Sequence, residues 1–296
     1  MSLFASILVP LDGSRTAARG FGCAAWLASR LDARLHIVSA TPREVSAREE
    51  LASLQVPEEH WPRIVLHQPA AHPEGAILSA LARHQVGLVV MTARGKAGEA
   101  PDSAGTDPGK IVGHVTRAVI ERSGVPVLLL PPNYREVLPW ERVLVPVSGE
   151  SEADEALALA VRLACALDLE VQVAHVADGE GGDEGLAARA RYADALHHEY
   201  AGQLEGLVRR GLAQCRPEDS GRIKDVALCR GDVAAELQKL IARKGASLLA
   251  VGWRGRFMAG RARVLKQLIQ AITMPVLLVQ PEAPMLFQLK VGEEID

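Results

Sequence analysis

A repeated segment divides the chain into two related halves. Residues 5–14 read Ala-Ser-Ile-Leu-Val-Pro-Leu-Asp-Gly-Ser, and residues 141–150 read Glu-Arg-Val-Leu-Val-Pro-Val-Ser-Gly-Glu. The agreement continues to the end of each half, where residues 126–130 (Pro-Val-Leu-Leu-Leu) match residues 275–279 (Pro-Val-Leu-Leu-Val). Two long copies indicate a duplicated globular domain and not a solenoid, because solenoid repeats are much shorter. We therefore expect domains at 1–132 and 140–281, with a C-terminal tail at 282–296.

Each half alternates short apolar runs with amphipathic segments, which predicts β-strands followed by helices. This alternation is typical of a parallel sheet with helices on both faces, an α/β fold. Helices are expected at 15–30, 44–54, 74–83 and 110–122, and an unusually long one at 183–216. The strands of the two halves are expected at 6–11, 35–40, 63–67, 86–92 and 126–130, then 142–147, 170–176, 223–229, 247–252 and 275–279.

Composition excludes several classes of protein. The net charge of −3 does not indicate the basic surface that is typical of nucleic-acid-binding proteins. No apolar run reaches about 18 residues, so no membrane span is expected. The four cysteines form no C-x-x-C pair, which favours reduced structural thiols. The N-terminus has no basic stretch followed by an apolar region, so we expect a cytoplasmic protein without a secretion signal.

A glycine-rich loop follows the fourth strand of the first half. Gly95 and Gly98 open it, and Gly113 stands where the next helix begins. Glycines let backbone N–H groups approach phosphate oxygens, and a helix N-terminus adds partial positive charge. The loop therefore suggests a phosphate cradle, although an ordinary strand-to-helix connection has the same composition.

The chain resembles tandem universal stress proteins over nearly its whole length. Members of that family end their first strand with P-x-D-x-S, matched here by Pro10, Asp12 and Ser14. The domain of that family ends with a G-x2-G-x9-G-(S/T) loop, a helix and a P-V-L strand. The resemblance implies two tandem five-stranded parallel sheets of order 3-2-1-4-5, with helices on both faces. This is the Rossmann-like fold of the adenine-nucleotide α-hydrolases.

Some members of the family bind ATP, so the resemblance also implies a ligand and its contacts. ATP or another adenine nucleotide would bind in domain 1, with or without Mg²⁺. The resemblance implies that the aspartate contacts the adenine side of the ligand and that backbone at the end of strand two lines the base. It also implies that the glycine loop holds the phosphates. His114 stands where the family has a hydroxyl, and fourteen residues separate the last two motif glycines instead of nine. The residues carried over are Asp12, Ala40, Gly95, Gly98, Gly113 and His114.

The second half departs further from the family pattern. Ser148 replaces the aspartate, Ala262-Arg263 replaces the Gly-Ser pair, and only six residues separate Gly255 from Ala262. We expect this domain to be degenerate for nucleotide binding and to serve as a scaffold, with its long helix as a docking element. Its loop is basic, which suits an anion, a protein partner or simply a solvated face. The basic residues are Arg254, Arg256, Arg261, Arg263 and Lys266.

Three functions remain open from the sequence. The first is a stress-response regulator that binds a nucleotide, and the second is a nucleotide-free adaptor that acts through protein contacts. The third is a slow ATP hydrolase, for which the loop offers Asp102 and Asp107 beyond Glu99. No catalytic residue is assigned, and no metal site is expected, because no two histidines stand four apart.

The apolar last strands suggest how the two halves meet. Each would expose an edge that needs covering, and family members pair domains through this strand. We therefore expect an intramolecular pseudo-dimer, and a further homodimer stays open.

Overall fold

The computed structural model describes residues 3–40, 45–95, 111–177, 193–254 and 262–280. Within these ranges, ten strands and eight α-helices alternate along the chain, apart from two short 3₁₀ turns at 58–63 and 217–222. The mixed α/β architecture expected from the sequence is therefore confirmed. No helix in the described ranges is both long enough and apolar enough to cross a bilayer.

The described residues of the first half form five strands and four helices. The apolar runs of its last two strands are buried along their whole length, as expected for parallel strands covered on both faces. The strands are β1 (Ser6–Pro10), β2 (Arg34–Val38), β3 (Ile64–His67), β4 (Leu88–Thr92) and β5 (Val127–Leu130). The helices are α1 (Arg15–Leu31), α2 (Ala47–Ser53), α3 (Pro73–His84) and α4 (His114–Arg122).

The second half repeats this order. Its strands are β6 (Arg142–Pro146), β7 (Glu170–Ala177), β8 (Ile223–Arg230), β9 (Leu248–Gly252) and β10 (Val276–Val279). Its helices are α5 (Ser151–Leu167), α6 (Ala193–Leu212), α7 (Val233–Lys244) and α8 (Arg263–Ala271).

The repeated Leu-Asp pair has a structural reason. Asp32 ends α1 and Asp168 ends α5, and both adopt the left-handed conformation, with φ of 51° and 61°. Aspartate tolerates this conformation better than most residues. Each aspartate N–H donates to a carbonyl of the last helical turn, at Ala28 and Ala164 respectively. The two halves therefore end their first helix with the same cap.

All ten strands join in one sheet, of order β3-β2-β1-β4-β5-β10-β9-β6-β7-β8. Within each half the strands are parallel and follow the expected 3-2-1-4-5 order. The two five-stranded sheets expected for the two halves are joined into one, because the last strands meet as expected: β5 and β10 pair antiparallel, with Leu128 opposite Leu277. Each strand covers the apolar edge that the other would otherwise expose.

Two apolar layers cover the faces of this sheet and run through both halves. One layer packs α1 and α5 on the sheet, through side chains such as Phe21 and Leu157. The other packs α3, α4, α7 and α8, through residues such as Ile77 and Leu268. The rings of Trp26 and Trp140 meet with centroids 4.9 Å apart, which ties α1 to the segment that leads into β6.

Some predicted boundaries differ from the structure. Helix α4 begins at His114 and not at residue 110, because Gly113 keeps an extended backbone with φ −64° and ψ 160°. Helix α6 ends at Leu212 and not at 216. Its predicted start at 183, the distal glycine loop and the tail at 282–296 lie outside the described residues. The domain boundaries at 132, 140 and 281 stay predictions.

The antiparallel pairing of β5 with β10 leads to a prediction for amide hydrogen exchange. We expect the amides of 127–129 and 276–278 to exchange as slowly as those of β1, because these strands lie at the centre of the sheet. The outer strands β3 and β8 serve as the internal control and should exchange faster. Fast exchange at β5 and β10, measured by mass spectrometry, would mean that the two halves form separate sheets.

Candidate functional site

A cavity of about 340 Å³ opens at the carboxyl ends of β1, β2 and β4. Parallel α/β sheets commonly bind ligands at this edge, near the switch in strand order. The first turns of α3 and α4 complete its walls. The lining residues are Pro10, Leu11, Asp12, Ala17, Val38, Ala40, Pro73, Ile77, Met91, Thr92, Gly95, Gly113, His114, Val115 and Thr116.

Asp12 is oriented by the turn that begins α1. The Ser14 N–H donates to Asp12 Oδ1 at 3.0 Å, and the Ser14 hydroxyl donates to the same oxygen at 2.6 Å. The Ser14 Oγ also accepts from the Ala17 N–H at 3.0 Å, so it caps α1. One buried hydroxyl therefore starts the helix and holds the carboxylate toward the cavity.

Gly95 lies against the other oxygen of this carboxylate. A Cβ placed on Gly95 would stand 2.4 Å from Asp12 Oδ2, far inside van der Waals contact. Any larger residue at position 95 would therefore displace the carboxylate. The glycine that starts the loop is required by this close approach and not by an unusual φ angle.

The N-terminus of α4 forms another wall of the cavity. The Gly113 N–H donates to the Ala93 carbonyl at 2.7 Å, and the Thr116 hydroxyl donates to the Thr92 carbonyl at 3.0 Å. These two bonds fix the start of α4 to the end of β4. The first turn of α4 contains no acidic residue, so its partial positive charge is not neutralised there. This wall favours an anionic group.

Five of the six predicted site residues line this one cavity. Asp12 and His114 are exposed at its rim, whereas Ala40, Gly95 and Gly113 are partly buried in its walls. The sixth, Gly98, lies outside the described residues.

Sequence reasoning missed the threonines and the apolar wall. Thr92 and Thr116 both line the cavity. Thr116 stands three residues after Gly113, and this spacing places it on the first turn of the helix. The apolar wall has no comparable signal, because Ile77 and Met91 read as ordinary core residues in the sequence.

The corresponding site of the second half has different chemistry. Its cavity of about 900 Å³ is lined by Ser148 in place of an aspartate and contains Glu150 and Glu152. Glu152 is buried, and its Oε1 accepts from Arg254 Nη1 at 3.1 Å. A hydrogen bond from its own backbone, then contacts with Ser151 and Arg254, lower the pKa of Glu152. The Glu152 side chain in this cavity is therefore an ionised carboxylate near neutral pH.

Comparison with known proteins identifies a matching family and shared folds. The sequence model of the universal stress protein family matches residues 4–64 and 139–280, which is more than half of the chain. No curated protein matches the sequence significantly.

Solved structures of the same family share the fold. A Pseudomonas aeruginosa protein assigned to the universal stress proteins is 14% identical with a TM-score of 0.62, and 94% of each chain is covered. A universal stress protein from Archaeoglobus fulgidus is 17% identical with a TM-score of 0.58, covering 95% of this chain and 97% of its own. Both similarities extend over the two halves.

The double role of Ser14 gives a prediction for stability. We expect Ser14→Ala to lower the free energy of unfolding by about 1–2 kcal/mol, because it removes the cap of a long buried helix. Ser46→Ala is the matched control, since Ser46 caps the short helix α2 at an exposed position. Urea unfolding followed by circular dichroism measures both. Equal small losses in the two variants would contradict the role assigned to Ser14.

Proposed function

The chain belongs to the universal stress protein family, and we propose that it is a stress-response regulator whose first half binds an adenine nucleotide. The observation that carries this proposal is the single cavity that contains Asp12, Ala40, Gly95, Gly113 and His114. The proposal treats binding and not turnover as the activity, and it assigns no catalytic residue.

The walls of the cavity suit the parts of a nucleotide separately. Val38, Ile77 and Met91 offer an apolar surface for the flat faces of a purine. The Asp12 carboxylate accepts hydrogen bonds and would take donors from the base or ribose side. Phosphates would be repelled by this carboxylate and attracted by the N-terminus of α4, which orients the ligand along the cavity.

The residues around the cavity also fit a phosphate chain with or without Mg²⁺. The Gly113 and His114 backbone begins a helix with no acidic residue in its first turn. When bound, Mg²⁺ would neutralise phosphate charge. Among the described lining residues the only carboxylate is Asp12, so further acidic ligands would come from Asp102 or Asp107, outside the described residues.

We assign the second half a scaffold role. Ser148 lacks the charge of an aspartate, and the Glu152 carboxylate pairs with Arg254, so this arginine is not free for a phosphate in the equivalent cavity. Helix α6 packs on the core through Leu204 and leaves Glu205 and Arg209 in solvent. This exposed side is the proposed docking element for a protein partner.

The role of Asp12 is tested by nucleotide titration. We expect Asp12→Ala to weaken binding of ATP, ADP or AMP by about 10- to 100-fold, because hydrogen bonds to a charged group are lost. Ser148→Ala, at the equivalent position of the second half, is the control and should bind like the unchanged protein. Isothermal titration calorimetry with and without Mg²⁺ measures all three proteins.

Two outcomes of this titration would count against the proposal. Equal affinity in both variants would remove Asp12 from the site. No binding of any of the three nucleotides by the unchanged protein would favour the nucleotide-free adaptor.

Gly95 provides a second test of the same site. We expect Gly95→Ala to weaken nucleotide binding at least about tenfold, because the new Cβ would displace the Asp12 carboxylate. Gly75→Ala is the matched control, since a Cβ on Gly75 meets no atom within 4 Å. Competition against a fluorescent ATP analogue compares the two variants. If Gly95→Ala retained full affinity, the contact between Gly95 and Asp12 would be irrelevant to binding.

A further inference from the structure

We propose that His36, His67 and His84 form a binding site for a zinc-like divalent metal ion. One ring nitrogen from each histidine can be chosen so that the three nitrogens lie within 4.8 Å of one another. His36 lies in β2, His67 ends β3 and His84 ends α3. The site is separate from the nucleotide cavity, because the cavity is lined by the first turn of α3 and His84 lies in its last turn.

The three rings are in direct contact. The His67 and His84 rings stack with centroids 4.3 Å apart, and the His36 ring lies 5.2 Å from His67 and 5.4 Å from His84. His36 Nδ1 and His67 Nε2 are 2.9 Å apart. Two imidazoles on one tetrahedral zinc ion place their nitrogens about 3.3 Å apart, given Zn–N distances of about 2.0–2.1 Å. The stacked rings of His67 and His84 would have to rotate so that their nitrogens point at one ion.

His36 has a hydrogen-bonding position that the described residues do not fill. The residue is only 4% exposed, and its Nε2 has no partner among the described atoms. This nitrogen is not the Nδ1 that faces His67, so the approach of the three rings, and not this unpaired atom, marks the position of the ion.

Burial disfavours the charged form of two of the three imidazoles. It lowers the pKa of His36 to about 4, and the nearby His67, His84 and Arg34 act in the same direction. Burial, followed by the charge of His84, also lowers the pKa of His67. Three imidazole nitrogens without a carboxylate suit zinc, copper or nickel better than magnesium or calcium.

The second half shows that the fold does not require these histidines. In the parallel register, Gln172 stands where the first half has His36, and Ala227 where it has His67. Lys244 ends α7 as His84 ends α3, and its Nζ pairs with Asp225 Oδ2 at 2.7 Å. In the equivalent part of the fold, the second half therefore has an ion pair and the first half has three imidazoles.

An entry path and a structural role follow from the position of the cluster. His84 lines a surface cavity of about 730 Å³ together with Arg34, Ile64 and Gln85. A metal ion with three protein ligands would keep its fourth position for a solvent ligand from this side. The ion would clamp the outer strand β3 and the end of α3 to β2.

Titration of the full-length, chelator-treated protein with Zn²⁺ alone tests the proposal. We expect one ion per chain, with a rise in Tm on binding. His84→Lys copies the residue of the second half at a partly exposed position, so it should fold and should weaken Zn²⁺ binding about 100-fold or more. His36→Gln, which copies Gln172 of the second half, should do the same. His72→Ala, an exposed histidine outside the cluster, is the control and should bind normally.

Cobalt substitution provides a readout of the ligands themselves. Co²⁺ in a nitrogen-liganded tetrahedral site should give visible absorption bands that disappear in His84→Lys and persist in His72→Ala. Circular dichroism confirms that each variant is folded. The proposal is overturned if the unchanged protein binds no stoichiometric Zn²⁺, or if His84→Lys and His36→Gln, both folded, bind it as tightly as the control.

Discussion

The antiparallel pairing of β5 with β10 is the interaction on which the rest of the structure depends. Leu128 and Leu277 face each other across the joint, and both are almost fully buried. Without this pairing, each half would expose an apolar strand edge, which proteins generally avoid because it invites aggregation. With it, the apolar layers on both faces run through the whole chain. The duplication therefore yields one cooperative sheet and not two linked modules.

The cavity of the first half lies at the carboxyl edge of its strands, and its chemistry comes from short local structures. Ser14 starts α1 and orients Asp12, while Gly95 leaves space for the same carboxylate. Thr116 fixes α4 to β4 and thereby positions the helix N-terminus. A carboxylate and the positive end of a helix in the walls of one cavity would distinguish the two ends of the proposed nucleotide.

The two halves have kept the fold and changed the chemistry. Where the first half has Asp12, the second has Ser148, with the buried Glu152 in the same cavity. Where the first half gathers three histidines beside β3, the second places the ion pair of Lys244 and Asp225. Both differences lie at positions that tolerate alternatives, because the sheet and its apolar layers carry the stability. Binding functions can therefore diverge within one chain.

The sequence by itself determined the duplication and the alternation of strands and helices within each half, and it placed Asp12, Gly95 and Gly113 at one site. These follow from the repeated segment, the apolar runs and the spacing of the glycines, whereas the strand order was implied by the resemblance to the family. Its limits appear where residues distant in sequence meet. No spacing rule connects His36 with His84, and helix starts depend on backbone geometry such as that of Gly113. Only the tertiary structure decided the antiparallel direction of the pairing between the last strands, the apolar cavity wall and the histidine cluster, because each arises from packing between separate segments.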